Sequence, residues 1–94
     1  MIKTFACKET KRFFNRQFSR KLPHNIQRVA RRRLDILDAA DVLQDLRVPP
    51  SNRLEKLSDD RQGQYSIRIN DQWRICFEWR SGDAYNVEIV DYHS

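Results

Sequence analysis

The sequence predicts an α+β domain in which two N-terminal helices pack on a small antiparallel sheet, in the order β-α-α-β-β-β. Three observations carry that expectation. Apolar residues recur at helical spacing between His24 and Ala40, three later runs alternate apolar and polar residues, and turn-forming residues separate those runs. With 94 residues, 39% of them hydrophobic, and only 2 Gly and 3 Pro, residues 1–94 are expected to form one domain around one core.

Ile2 to Cys7 reads as a short first strand, with Ile2, Thr4 and Ala6 on one side and Lys3, Phe5 and Cys7 on the other. "KETKRFFNRQFSRK" follows as a helix that gathers Phe13, Phe14 and Phe18 on one broad face. Leu22-Pro23 interrupts it, because proline lacks the donor a helix interior needs. From His24 to Ala40, Ile26, Val29, Ala30, Leu34, Ile36 and Leu37 fall within less than half of a helix circumference, so this stripe faces the core. Arg28, Arg31 and Arg32 point away from it. Arg33 falls inside the apolar arc and must either snorkel to water or meet an acid. "DVLQDLR" extends the helix or forms a short one after a break, and Pro49-Pro50 ends it.

"SNRLEKLSDDRQG" reads as a loop with at most a short strand or turn, anchored by Leu54 and Leu57. Three strands follow in series. Tyr65, Ile67 and Ile69 point inward from the first, Trp73, Ile75, Phe77 and Trp79 from the second, and Tyr85, Val87 and Ile89 from the third. Asn70-Asp71 and Ser81-Gly82-Asp83 are the turns.

No run approaches the roughly 18 consecutive apolar residues of a membrane span. The opening "MIKTFACKETKRFF" lacks the apolar region of a signal peptide, so the cytoplasm is the expected compartment and no membrane association is expected. Cys7 and Cys76 lie far apart with no C-x-x-C spacing and read as core thiols, so neither a disulfide nor a metal site is expected, and no cofactor. The net charge of +5 is unevenly spread: up to Leu34 there are eleven Lys/Arg against Glu9 alone, and from Asp35 onward seven Lys/Arg against twelve Asp/Glu. Such a basic end suits a polyanionic partner, although charged faces are often only solvated faces.

Period-2 alternation puts Ser66, Arg68 and Asn70, then Arg74, Cys76, Glu78 and Arg80, on the sheet face opposite the apolar stripe. Guanidinium forks bind phosphate oxygens bidentately, so this face suits a phosphate backbone; cross-strand ion pairs are the competing explanation. Asp91, Tyr92 and His93 follow directly on the last strand and supply a carboxylate, a ring that stacks on a base, and an imidazole that titrates near neutrality. RNA cleavage through the 2′-hydroxyl needs a base for that hydroxyl, cations for the phosphorane and an acid for the departing oxygen. These residues can supply all three. A chance histidine in a frayed tail is the other reading.

The stretch "VPPSNRLEKL", the double strand "QYSIRINDQWRICFEW" and the final "GDAYNVEIVDYH" together resemble the HigB-like toxins, the plasmid maintenance killer branch of the RelE/ParE superfamily. The resemblance implies the small RelE-like fold and a ribosome-dependent endoribonuclease that cuts mRNA codons in the small-subunit decoding site without a metal. It also implies a HigA-like helix-turn-helix antitoxin, which neutralises the toxin in a hetero-oligomeric complex and binds DNA. By the same resemblance Asp91, Tyr92, His93 and Arg74 are catalytic, and Arg53, Lys56, Arg68 and Arg80 contact RNA phosphates. Arg28, Arg31 and Arg32 are expected to touch ribosomal RNA or the antitoxin. Relatives commonly read L-K-G-D-R where this chain has Ser58 and Asp59, one cation fewer and an acid more, which implies weaker activity. Some relatives carry a histidine near the place of Glu55. The alternatives are a ParE-like toxin that binds gyrase and cleaves nothing, or a silent module that occupies the ribosome.

Overall fold

Strand β3 (Trp73–Arg80) sends alternate side chains to the two sides of the sheet, so it decides what each side becomes. The computed structural model describes residues 1–17 and 21–92. Helices α1 (Lys8–Phe14) and α2 (His24–Ala39) come first, then 3-10 turns at Leu43–Arg47 and Pro50–Asn52. Strand β1 (Glu55–Lys56), a 3-10 turn at Asp59–Arg61, β2 (Tyr65–Arg68), β3 and β4 (Asp83–Asp91) complete the order. The four strands are antiparallel neighbours in sequence order.

The stripe on α2 behaves as its spacing predicts: Ile26, Ala30, Leu34 and Leu37 are buried against Ile67, Ile75, Phe77 and Val87. Each of these Leu, Ile, Val or Phe side chains contributes about 1.5–3 kcal/mol of burial. Helix α1 is shorter than the sequence suggests, because the chain leaves helical geometry after Phe14, with Arg16 in the left-handed region at φ 64°. Phe13 is buried and Phe14 packs on Phe5 with ring centroids 5.6 Å apart. Phe18, the expected third ring, lies outside the described residues.

The expected order is corrected at the N-terminus, where Ile2 to Cys7 forms no strand. Two isolated parallel bridges, Ile2 to Ala84 and Phe5 to Val87, hold it against β4. The amides of Lys3 and Ala6 donate to the carbonyls of Ala84 and Val87 at 2.8 and 2.9 Å, three residues apart on both chains, whereas a ladder repeats every two. The cause is a bulge in β4. Asn86 takes a left-handed φ of 52°, its amide donates to the Thr4 hydroxyl at 2.8 Å, and the β3–β4 register slips between Cys76 and Glu78. The sheet's fourth strand is instead β1, the short strand that the 51–63 loop was expected at most to hold.

The same bulge corrects one inward assignment. Register sets Tyr85 opposite Glu78 and Ala84 opposite Trp79, so Ala84 is buried and Tyr85 joins the outer face, where the Arg80 guanidinium lies 4.1 Å from its ring centre. The β3–β4 hairpin closes through Ser81 and Gly82, both with positive φ, as a tight two-residue turn requires.

Arg33 is buried, and its described partners are neutral: Nε donates to the Arg68 carbonyl at 3.2 Å and Nη2 to the Ser51 hydroxyl at 3.1 Å. Arg31 does not simply point away, since it donates to the Phe13 carbonyl at 3.1 Å and lies over the Phe13 ring, tying α1 to α2. Asp45 turns the chain after α2 by accepting the amides of Asp41 and Val42, which lowers its pKa. No helix is long and apolar enough to cross a membrane among the described residues.

Helix α1 is pinned to β4 by the buried Thr10 hydroxyl, which accepts the Ile89 amide at 3.1 Å. Thr10→Val keeps the shape and orphans that amide, so it is expected to cost about 1–3 kcal/mol in urea unfolding with the slope unchanged. The two thiols should also separate. Burial pushes the Cys76 thiol up, with Arg61 opposing, Glu88 adding and Arg74 opposing, while Cys7 is partly exposed. Native protein at mildly alkaline pH should therefore alkylate at Cys7 first and at Cys76 only after unfolding, as peptide mass spectrometry will read.

Candidate active site

The ladder places Arg68 of β2 directly opposite Arg74 of β3, on the outer face. Arg74 is only 8% exposed, and its fork is held from two sides: Nε donates to the Ser66 hydroxyl at 2.7 Å and Nη2 to the Arg53 carbonyl at 2.7 Å. Arg53 presents that carbonyl because it ends the Pro50–Asn52 turn in the left-handed region. Asn52 steadies the turn from below, donating from its buried amide to the carbonyls of Leu46 and Val48. The Glu55 carboxylate lies 3.9 Å from Arg74, and Arg68 pairs with Asp71.

The turn between β2 and β3 is an Asx turn, with the amides of Gln72 and Trp73 both donating to the Asn70 side chain. Beyond β4 the Tyr92 amide donates to the Gln72 carbonyl at 2.6 Å, which fixes Tyr92 beside this turn. Glu55, Arg68, Asn70, Asp71, Arg74 and Tyr92 thereby line one hollow of about 210 Å³. Chemically it holds two guanidinium groups, two carboxylates, a carboxamide and a phenol. A phosphodiester fits this set, because Asp71, 99% exposed, makes a surface pair with Arg68 that an anion readily replaces. Two of the five N–H donors of Arg74 are used by its neutral partners, which aims the guanidinium without neutralising it.

The structure divides the remaining expected residues. Asp91 does not share the hollow: register sets it opposite Trp73, on the other face, where it accepts from the Gln72 side chain at 3.0 Å. Strand alternation runs through the last residues, so Asp91 and Tyr92 point to opposite sides. His93 lies outside the described residues. Arg53 does not line the hollow and acts on it only through the carbonyl that holds Arg74. Lys56 is exposed on β1, one residue past Glu55 and so on the other side. Arg80 stands six residues along β3 from Arg74, about 20 Å away, on Tyr85 and near Glu78. Arg28 and Arg32 are exposed on α2, with Arg31 occupied by Phe13.

Ser66 was legible as a neighbour of Arg74 on the outer stripe, but not as its hydrogen-bond partner. Asp71 carried no signal beyond turn propensity. Ser58 and Asp59 do not line the hollow, and Asp59 takes a left-handed φ of 55° at the position where relatives were expected to carry glycine. Arg61, at the end of that turn, crosses to Glu88 at 3.4 Å, and its charge opposes the rise of the Cys76 pKa. Among the described residues no group of three His, Cys, Asp or Glu side chains is placed to hold a metal ion.

Comparisons with known proteins agree with this architecture. In fold the chain is similar to a chain of the YoeB-YefM complex from Staphylococcus aureus, with a TM-score of 0.61 and 15% identity over 100% of this chain and 99% of that one. In sequence it is 46% identical over 67 residues to Toxin HigB-1 of Vibrio cholerae serotype O1, covering 71% of this chain and 70% of that protein. It is 34% identical to Endoribonuclease HigB of Proteus vulgaris over 94 residues, 99% of this chain and 100% of that protein. Residues 3–93 match the family described as RelE-like toxin of type II toxin-antitoxin system HigB, and the chain belongs to that family.

Proposed function

We propose that this toxin is an endoribonuclease that cuts mRNA in the decoding site of a translating ribosome, in the cytoplasm, without a metal ion. The observation that carries the reading is the clamped, buried Arg74 sharing one hollow with Glu55, Arg68 and Tyr92. The 34% identical relative named Endoribonuclease HigB supports it.

In this mechanism a phosphate enters the hollow, displaces Asp71 from Arg68 and rests between Arg68 and Arg74. The 2′-hydroxyl loses its proton to the Glu55 carboxylate and its oxygen attacks phosphorus. Charge that builds on the phosphorane falls on the Arg74 fork, already oriented by Ser66 and the Arg53 carbonyl, so little reorganisation is needed. The bond to the 5′-oxygen breaks and His93 supplies the proton, leaving a 2′,3′-cyclic phosphate and a 5′-hydroxyl. The Tyr92 ring stacks on the adjoining base. Asp91, held by Gln72 on the far face, orients the chain end that carries Tyr92 and His93. The partner is a HigA-like antitoxin, with Arg28 and Arg32 on the exposed side of α2 as contacts for it or for ribosomal RNA.

The test is brief induction in cells with mapping of new mRNA 5′ ends. Codon-registered cuts within translated regions are expected, whereas DNA breaks with intact mRNA would establish a gyrase-directed toxin instead. On purified ribosomes, Arg74→Ala should lower single-turnover cleavage about 10²–10³-fold, with Arg74→Lys recovering only part, since a point charge cannot replace the fork. Glu55→Gln, isosteric and neutral, should cost about 10²–10⁴-fold while circular dichroism and melting stay as in the parent.

A further inference from the structure

On the opposite face from Arg74 lies a larger hollow, of about 540 Å³, between α1 and the same end of the sheet. Leu22, Ile89 and the partly exposed Trp73 form its apolar floor, and Lys8, Arg12 and Lys21 stand on its rim, with Glu9 the one carboxylate among the described lining residues. None of the three cations has an ion-pair partner among the described residues. We propose that this hollow binds the single-stranded RNA flanking the scissile bond, one base against Trp73 and its phosphates on Lys8, Arg12 and Lys21.

Continuity with the candidate active site selects this occupant. Trp73 and Arg74 are consecutive residues on opposite faces, and among the described residues the 70–73 turn and Asp91–Tyr92 form a ridge at the end of the sheet where the two hollows lie. A strand with one phosphate on Arg74 and a base on Tyr92 rounds that ridge within a short length and meets an aromatic floor with a cationic rim. That combination is how single strands are held without sequence preference. An acidic peptide would satisfy the cations but would make no use of the position beside the cutting site. The inference rests on the ribonuclease reading, and its test is separable from it.

The chain has 2 Trp, so Trp79→Phe, at the far hairpin end of β3, leaves Trp73 as the sole tryptophan, and excitation at the red edge of indole absorption avoids the tyrosines. Titrating this variant with a short 2′-O-methyl oligonucleotide, which cannot be cut, should quench Trp73 saturably and less tightly as salt rises. Adding Lys8→Gln, Arg12→Gln and Lys21→Gln should weaken binding at least tenfold and reduce the salt slope by about 2, as three lost phosphate contacts on a single strand require. The same changes should raise the RNA concentration that half-saturates cleavage. Absence of quenching, or an unchanged affinity and slope in the triple variant, overturns the proposal, as does quenching by polyglutamate alone. Arg74→Ala should slow cutting about 10²–10³-fold, as expected above, and retain the quench. A protein that quenches but never cuts RNA retains the hollow and loses the nuclease, and one that cuts with no quench does the reverse.

Discussion

Placing Arg68 directly across the ladder from Arg74 sets two like charges on one face of the sheet, an arrangement that by itself destabilises the strand pair. Much around the outer face answers that repulsion. Asp71 takes Arg68, Glu55 approaches Arg74, and Ser66 and the Arg53 carbonyl occupy donors that water would otherwise need to reach. Arg33 presses the crowding further. It donates to the Arg68 carbonyl from inside the core, and burial, then Arg32 and Arg68, lower its pKa. Three guanidinium groups share one corner of a small domain, and a phosphate entering there, as proposed, would relieve what the local carboxylates only partly offset.

The corner exists because β3 belongs to two surfaces at once. Its inward residues form the core with α2, so the strand cannot slip by one residue without exchanging Ile75 and Phe77 for Arg74 and Cys76. Core packing therefore holds the register of the site. The β4 bulge at Asn86 adjusts the other end of the strand pair and frees the N-terminal segment to follow β4 with a three-residue step. Between that segment and Thr10, the outer edge of β4 is occupied along most of its length, which leaves little open ladder for another chain to extend.

The parts of this structure that were legible in the sequence are those set by periodicity. The α2 stripe, the alternation in β2 and β3 and the Ser81-Gly82 turn follow from spacing, and so does Arg74 on the outer face. What spacing could not show is pairing that depends on the rest of the fold. Strand β1 is two residues long, with no alternation to reveal it, and so the entry of Glu55 into the hollow was hidden. Tyr85 was assigned to the wrong side because a bulge leaves period 2 intact on either side of itself. Asp91, Tyr92 and His93 read as a group because they are consecutive, yet in a strand consecutive residues face apart, and the described pair does so.

The uneven charge of the chain follows from the same chemistry. A hollow whose arginines are already matched by Glu55 and Asp71 gives up part of its attraction for phosphate, because on the proposed mechanism those carboxylates are displaced or approached before RNA binds. Interactions that form only as charge develops on the phosphorane still favour the chemical step, so the cost falls on ground-state binding. Affinity then has to come from surfaces that do no chemistry. The N-terminal third, with eleven Lys/Arg up to Leu34 and one Glu, is where those cations lie. Arg31 and Arg33 are used in packing, but Lys8, Lys11, Arg12, Lys21, Arg28 and Arg32 remain exposed on the two helices and the segment joining them. In the proposed mechanism that division gives the buried, oriented Arg74 the transition state to stabilise and leaves to the helices the long-range pull on a polyanion.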